Sequence, residues 1–267
     1  MRADRPPTPT RTPSTERNET PVPYQTSPRR RGAVAATLLL PVLLTACSKD
    51  RDDKSGGSSD GKPGSVKAAL AELPVKKAAP KAGYDRKKHF GQAWSDRTDA
   101  PGSGNGCDTR NDILRRDLKN PKLDGSAKCT VTSGTLADPY TGRTIRFRRG
   151  AQSSAVQIDH IVALSDAWQT GAQKLSQARR EALANDPLNL VAADGPANMG
   201  KGDKDAADWL PANKAYACDY VARQIAVKRQ YNLWVTPPEH DAMTKVLRTC
   251  PAHPVPTAKS PEVALKH

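Results

Sequence analysis

Four residues in the middle of the chain carry the groups that phosphodiester hydrolysis requires. The run Ile158-Asp159-His160-Ile161-Val162 sets a carboxylate next to an imidazole, and Asn189 and Asn198 add two amides further on. Activation of water needs a base that works near neutral pH, and histidine has that range. A phosphate and its departing oxygen need a hard cation to offset their charge. Carboxylate and amide oxygens hold such a cation, and Asp159 and Asn198 supply one of each. Taken singly, each residue has a structural explanation: a satisfied histidine, an aspartate paired with Arg146 or Arg148, two turn asparagines. The ordered set is what points to a site.

These groups converge only if the right elements position them. Residues 156–164 read as a strand in their first half, and the apolar run 188–192 after Asp186-Pro187 reads as a second strand. A helix expected over 198–210, ended by Pro211, would present Asn198 from its first turn. Antiparallel pairing of the two strands brings His160 to Asn189. Neighbouring residues of a regular strand face opposite ways, so Asp159 and His160 can share a site only at a bulge or a strand end. Upstream, a helix is expected over 109–118, and Asp138-Pro139-Tyr140-Thr141-Gly142 is a turn between strands at 129–131 and 144–147. Further helices are expected over 175–184 and 212–231. Thr236-Pro237-Pro238-Glu239 reads as a capping box that starts another helix running to about residue 248. Trp168, Trp209 and Trp234 read as core anchors.

The segments Asp159-His160, Asn185-Asp186-Pro187-Leu188-Asn189-Leu190, Asn198, Lys201-Gly202-Asp203-Lys204-Asp205 and Trp209-Leu210-Pro211 resemble, in this order and spacing, the HNH endonuclease superfamily. The closer likeness is to secreted bacterial proteins with a GmrSD C-terminal-like HNH domain, and it extends over about 83–250. The resemblance implies an α+β fold: a ββα-metal core flanked by an N-terminal hairpin and helix and by C-terminal helices, stapled by disulfides. It implies His160 as general base, Asn189 as the residue that positions it, and Asp159 and Asn198 as metal ligands. The metal would be Mg²⁺, with Mn²⁺ or another divalent cation as a substitute. Lys201, Arg110, Arg146 and Arg148 are candidates for substrate phosphate, and the substrate would be nucleic acid, DNA rather than RNA. The connection from His160 to Asn189 is longer than in minimal HNH motifs. Two rival functions are a surface lipoprotein that binds nucleic acid or another polyanion through a degenerate HNH fold, and a serine hydrolase. No G-x-S-x-G elbow supports the latter.

The net charge of +14 comes from 42 Lys and Arg against 28 Asp and Glu. Residues 83–250 hold 25 and 19 of these, a net +6, so most of the basicity lies outside that region. A mildly basic domain suits a polyanion but also suits plain solubility. Arg29-Arg30-Arg31 precedes a short apolar run that ends in Leu44-Thr45-Ala46-Cys47, which resembles a bacterial lipobox with Cys47 as the lipidated residue. Export is therefore expected, either on the outer face of the cytoplasmic membrane through a lipid anchor alone or as a free secreted protein. Four other cysteines remain, an even number that suits disulfides. Of three possible pairings, Cys107–Cys129 and Cys218–Cys250 are preferred because each closes a local loop. The expected organisation is a disordered leader with signal peptide (1–47), a flexible linker (48–82), one domain (83–250), a disordered tail (251–267), and a monomer.

Overall fold

The computed structural model describes residues 64–125 and 129–266. The leader, the signal peptide and Cys47 lie outside them. The centre is a two-stranded antiparallel sheet of Val156–His160 and Leu190–Asp194, with Val156 opposite Asp194 and His160 opposite Leu190. These are β4 and β5 in chain order. Val156, Ile158, Leu190 and Ala192 share one apolar cluster, so one side of this ladder is core. Helix α6 (Gly195–Lys201) follows β5 after one tight corner. Gly195 is required at that corner, because a Cβ there would stand 2.3 Å from the Ser154 carbonyl. The helix stops at Gly202, whose φ of 57° suits glycine. It therefore ends well short of the expected 210, and the rest of that stretch is turns.

Three antiparallel strands lie upstream: β1 (Leu118–Asp124), β2 (Thr130–Ala137) and β3 (Thr144–Arg148), in that order across the sheet. The expected hairpin is β2–β3, joined through the Asp138–Gly142 turn. Helix α3 (Thr109–Asp117) is capped by the Asp108 side chain, which accepts from Asn111 N at 2.8 Å. It packs Ile113 and Leu114 against β2, β4 and β5. The long connection from β4 to β5 holds α4 (Leu164–Gln169) and α5 (Gln177–Asn185). Helix α7 (Ala217–Gln230) is buried along most of its length, and α8 (Pro237–Leu247) begins with the expected capping box at Thr236 and Glu239. Disulfides join Cys107 to Cys129 and Cys218 to Cys250, and the second ties α7 to the end of α8.

The folded region extends past both expected boundaries. Ser65 caps α1 (Val66–Ala71), and Val66, Ala69, Leu70 and Leu73 are buried against α7 and α8. These residues follow the i, i+3, i+4, i+7 spacing of a helix face. A second short helix, α2 (Arg86–Phe90), anchors Phe90 beside α4 and α5. At the other end Val66 N donates to His253 O, Val263 is fully buried, and Lys266 Nζ donates to Arg116 O at 2.6 Å. The described part of the expected linker, 64–82, and of the expected tail, 251–266, thus packs on the domain, because its apolar residues complete the core. Among the described residues no helix is long and apolar enough to cross a membrane.

Candidate active site

Strand β4 ends at His160, and this strand end, not a bulge, lets Asp159 and His160 line one cleft. The cleft holds about 450 Å³ and is also lined by Asn198, Arg110, Arg86, Trp94, Gln157 and Asp203. The His160 ring is buried, with Nε2 2.9 Å from the Ala184 carbonyl at the end of α5. A carbonyl oxygen only accepts, so Nε2 carries the ring proton and Nδ1 keeps its lone pair. Burial lowers the imidazole to about 3, with the Arg86 charge adding to the effect and the Ala184 carbonyl opposing it. The ring is then neutral at physiological pH. Trp94 stacks on it with planes 11° apart and centroids 5.8 Å apart. The Trp94 backbone stands at φ 61°, an unusual conformation for a tryptophan.

Asn189 is fully buried behind this ring. Its Oδ1 accepts from Val162 N at 2.8 Å, and its Nδ2 donates to Val162 O and Leu183 O, each at 3.3 Å. Its own carbonyl accepts from Ile161 N at 2.7 Å. Asn189 therefore ties the turn that follows His160 to the end of α5. On the other side, the Asp159 carboxylate accepts from Tyr140 OH at 2.5 Å, and Lys201 Nζ stands 3.1 Å from each of its oxygens. Burial pushes the Asp159 carboxyl up, against the pull of Lys201 and Tyr140. The Asn198 amide nitrogen donates to Gln157 Oε1 at 2.8 Å, which leaves Oδ1 as its uncommitted oxygen.

With strand, strand and helix carrying these residues in this order, the comparison with known families is decisive. Residues 108–246 match the family described as GmrSD restriction endonucleases, C-terminal domain. The chain belongs to this family. A protein of the fungus Arthroderma benhamiae, described as an uncharacterized secreted protein, is 38% identical over 187 residues, covering 69% of this chain and 84% of that relative. No solved structure matches significantly. The family's description points to a nuclease-like role, and HNH nucleases generally use divalent metals.

In this GmrSD-type domain the cleft brings together Asp159, His160, Asn198 and Arg110, while Asn189 is buried outside its lining. Arg110 sits in the first turn of α3 and donates through Nη2 to Val156 O at 3.2 Å. Lys201 does not fit its expected role as a phosphate ligand. Its side chain is 0% exposed, and it donates to the His160 carbonyl at 2.8 Å as well as pairing with Asp159. Arg146 and Arg148 share the exposed face of β3 and do not line the cleft. Tyr84, Arg86 and Trp94 were not legible in the sequence as site residues. They precede the matched family region, and a lone Trp or Arg in a polar stretch carries no signal. Among the described residues, Asp166, Asp205 and Glu239 form a second acidic group, none of it lining the cleft. Lys228 lies 3.2 Å from Asp166 and 2.8 Å from Glu239, as Lys201 lies against Asp159.

Proposed function

We propose that this chain is an exported, divalent-metal-dependent endonuclease that hydrolyses phosphodiester bonds in nucleic acid, DNA in preference to RNA, with His160 as the general base. The observation that carries this reading is the bond from His160 Nε2 to the Ala184 carbonyl, which leaves an unprotonated Nδ1 in a cleft shared with two hard oxygen donors. Asp159 and Asn198 fit a divalent cation. The first is a buried carboxylate and the second is an amide whose nitrogen is already committed to Gln157. When bound, the cation offsets charge on the phosphate and on the departing 3′-oxygen.

The residues of the chain do the rest. His160 Nδ1 takes a proton from the water that attacks phosphorus in line, leaving a 5′-phosphate. Asn189 and Trp94 hold the imidazole in place from behind and from one face. Tyr140 and Lys201 fix the Asp159 carboxylate. Arg110 binds a phosphate oxygen, and Arg146 and Arg148 serve flanking phosphates outside the cleft. Cys47 as a lipid attachment site, anchoring at the outer face of a membrane and a monomeric state belong to the same proposal, and mass analysis of the mature N-terminus tests the first.

The deciding experiment digests labelled single- and double-stranded DNA and RNA with a panel of divalent metals. Wild type should cut with Mg²⁺ and stop in EDTA. His160→Ala should slow cutting by about 10²–10⁴-fold while its circular dichroism stays native. An active His160→Ala variant refutes the assignment. Binding without turnover under every metal would leave the non-catalytic polyanion-binding reading.

A further inference from the structure

We propose that Arg86, on the segment that precedes the matched family region, forms with Arg110 a two-guanidinium clamp for the phosphate oxygens of a polynucleotide strand; this rests on the nuclease reading above. Both side chains line the cleft that holds Asp159 and His160. Arg86 is exposed, and among the described residues no hydrogen bond or ion pair engages its guanidinium. Asp85, next to it in sequence, and Asp203, in the same cleft lining, are already committed. Asp85 caps α2 by accepting from Lys88 N at 2.8 Å, and Asp203 pairs with Lys81 at 2.7 Å. Arg110 spends one N–H on the Val156 carbonyl, and a guanidinium has five N–H groups to donate.

The cleft lining mixes two chemistries: Arg86 and Arg110 contribute guanidinium N–H donors, while Asp159 and Asn198 contribute hard oxygens. An anion in a cleft lined by two guanidiniums is attracted by both. A phosphodiester suits the arginines, whose N–H groups can donate to its non-bridging oxygens.

Arg86 is also held firmly enough to act in this way. Its helix is anchored by Phe90, which is 2% exposed, and by the rings of Tyr84 and His89, which lie 6.2 Å and 4.4 Å from Trp168. Arg180 Nε donates to the His89 carbonyl at 2.8 Å, tying α2 to α5, whose C-terminal end also holds His160 through Ala184. The cation and the base therefore share one support.

The test measures binding of a fluorescent single-stranded oligonucleotide and its duplex to the full chain in EDTA, where turnover is suppressed. Arg86→Ala and Arg110→Ala should each weaken binding by about tenfold. Each should also lower the slope of log affinity against log salt by about 0.7 for the single strand. Arg86→Lys should keep most of the affinity, and Arg86→Glu should lose more than Arg86→Ala. Arg248→Ala, which removes an exposed cation at the end of α8, measures the loss from net charge alone. If Arg86→Ala loses no more than Arg248→Ala, the clamp is wrong. A wild type that binds through both arginines but never cuts defeats the nuclease reading and spares the clamp. A wild type that cuts, with Arg86→Ala unchanged in affinity and KM, does the reverse.

Discussion

Lys201 offers the sharpest check on the architecture beneath the site, because its sequence context and its structure give opposite answers. In the run Lys201-Gly202-Asp203-Lys204-Asp205 it reads as a solvated cation. In the fold it is fully buried, 3.1 Å from the Asp159 carboxylate and 2.8 Å from the His160 carbonyl. Lys201→Met keeps the volume and deletes the charge. Breaking a buried pair from one side costs about 3–5 kcal/mol, since the remaining charge has no partner. The orphaned carboxylate can escape by taking a proton. From an unperturbed value of about 3.9 this costs about 1.4 kcal/mol per pH unit, or about 4 kcal/mol at pH 7, which caps the loss. The sign of the pH dependence follows. Without Lys201 the folded-state pKa of Asp159, already raised by burial, rises further above its unfolded value. The folded variant then binds more protons than the unfolded chain, so it gains stability as pH falls. A deficit of about 4 kcal/mol at pH 7 should shrink to about 1 kcal/mol at pH 5. Urea denaturation of wild type and variant at both pH values, with disulfides intact, measures this. The double variant Asp159→Asn with Lys201→Met should recover most of the loss, because neither partner is then left charged. A pH-independent loss below about 1 kcal/mol, coupled to weaker oligonucleotide binding, would restore Lys201 to the surface and refute the reasoning.

Asn189→Ala should lower stability by about 1–3 kcal/mol, because it strands the buried Val162 N–H. It should slow hydrolysis together with that loss, whereas His160→Ala slows hydrolysis alone; parallel melting curves and rate assays separate the two. Glu239 is pushed up to about 7 by burial, against the pull of Lys228. Its folded pKa exceeds its unfolded one, so its stabilising contribution is complete below about 4.5 and is lost as pH rises through about 7. Glu239→Gln should flatten that part of a plot of stability against pH. The disulfides close loops of 22 and 32 residues. Reducing each should cost about 3–4 kcal/mol, read as a lower urea midpoint in dithiothreitol.

What the sequence disclosed and what it hid follow the range of the interactions involved. Strands β4 and β5, the hairpin β2–β3 and the capping box at Thr236 rest on residues within a few positions of one another, and pattern is enough to read them. Strand β1 was invisible for a local reason. Its Lys-Asn-Pro-Lys stretch has poor strand propensity, and the structure accommodates it with Asn120 at φ 50° and register shifts around Lys122, at the edge position where a proline is tolerated. The apolar spacing of helix α1 is regular, but it sits in an Ala, Lys and Pro background that reads as linker. The site divides in the same way. Asp159, His160, Asn189 and Asn198 are recognisable by order and spacing, because the two strands and the helix that carry them form one short unit. The environment that gives them their chemistry comes from distant segments. Ala184 fixes the tautomer of His160, Tyr140 and Lys201 hold Asp159 from either side of the chain, and Arg86 and Trp94 arrive from before the family boundary. A motif thus names the groups that can react, while the protonation state of the base and the charge facing the substrate are set by contacts that no local spacing encodes.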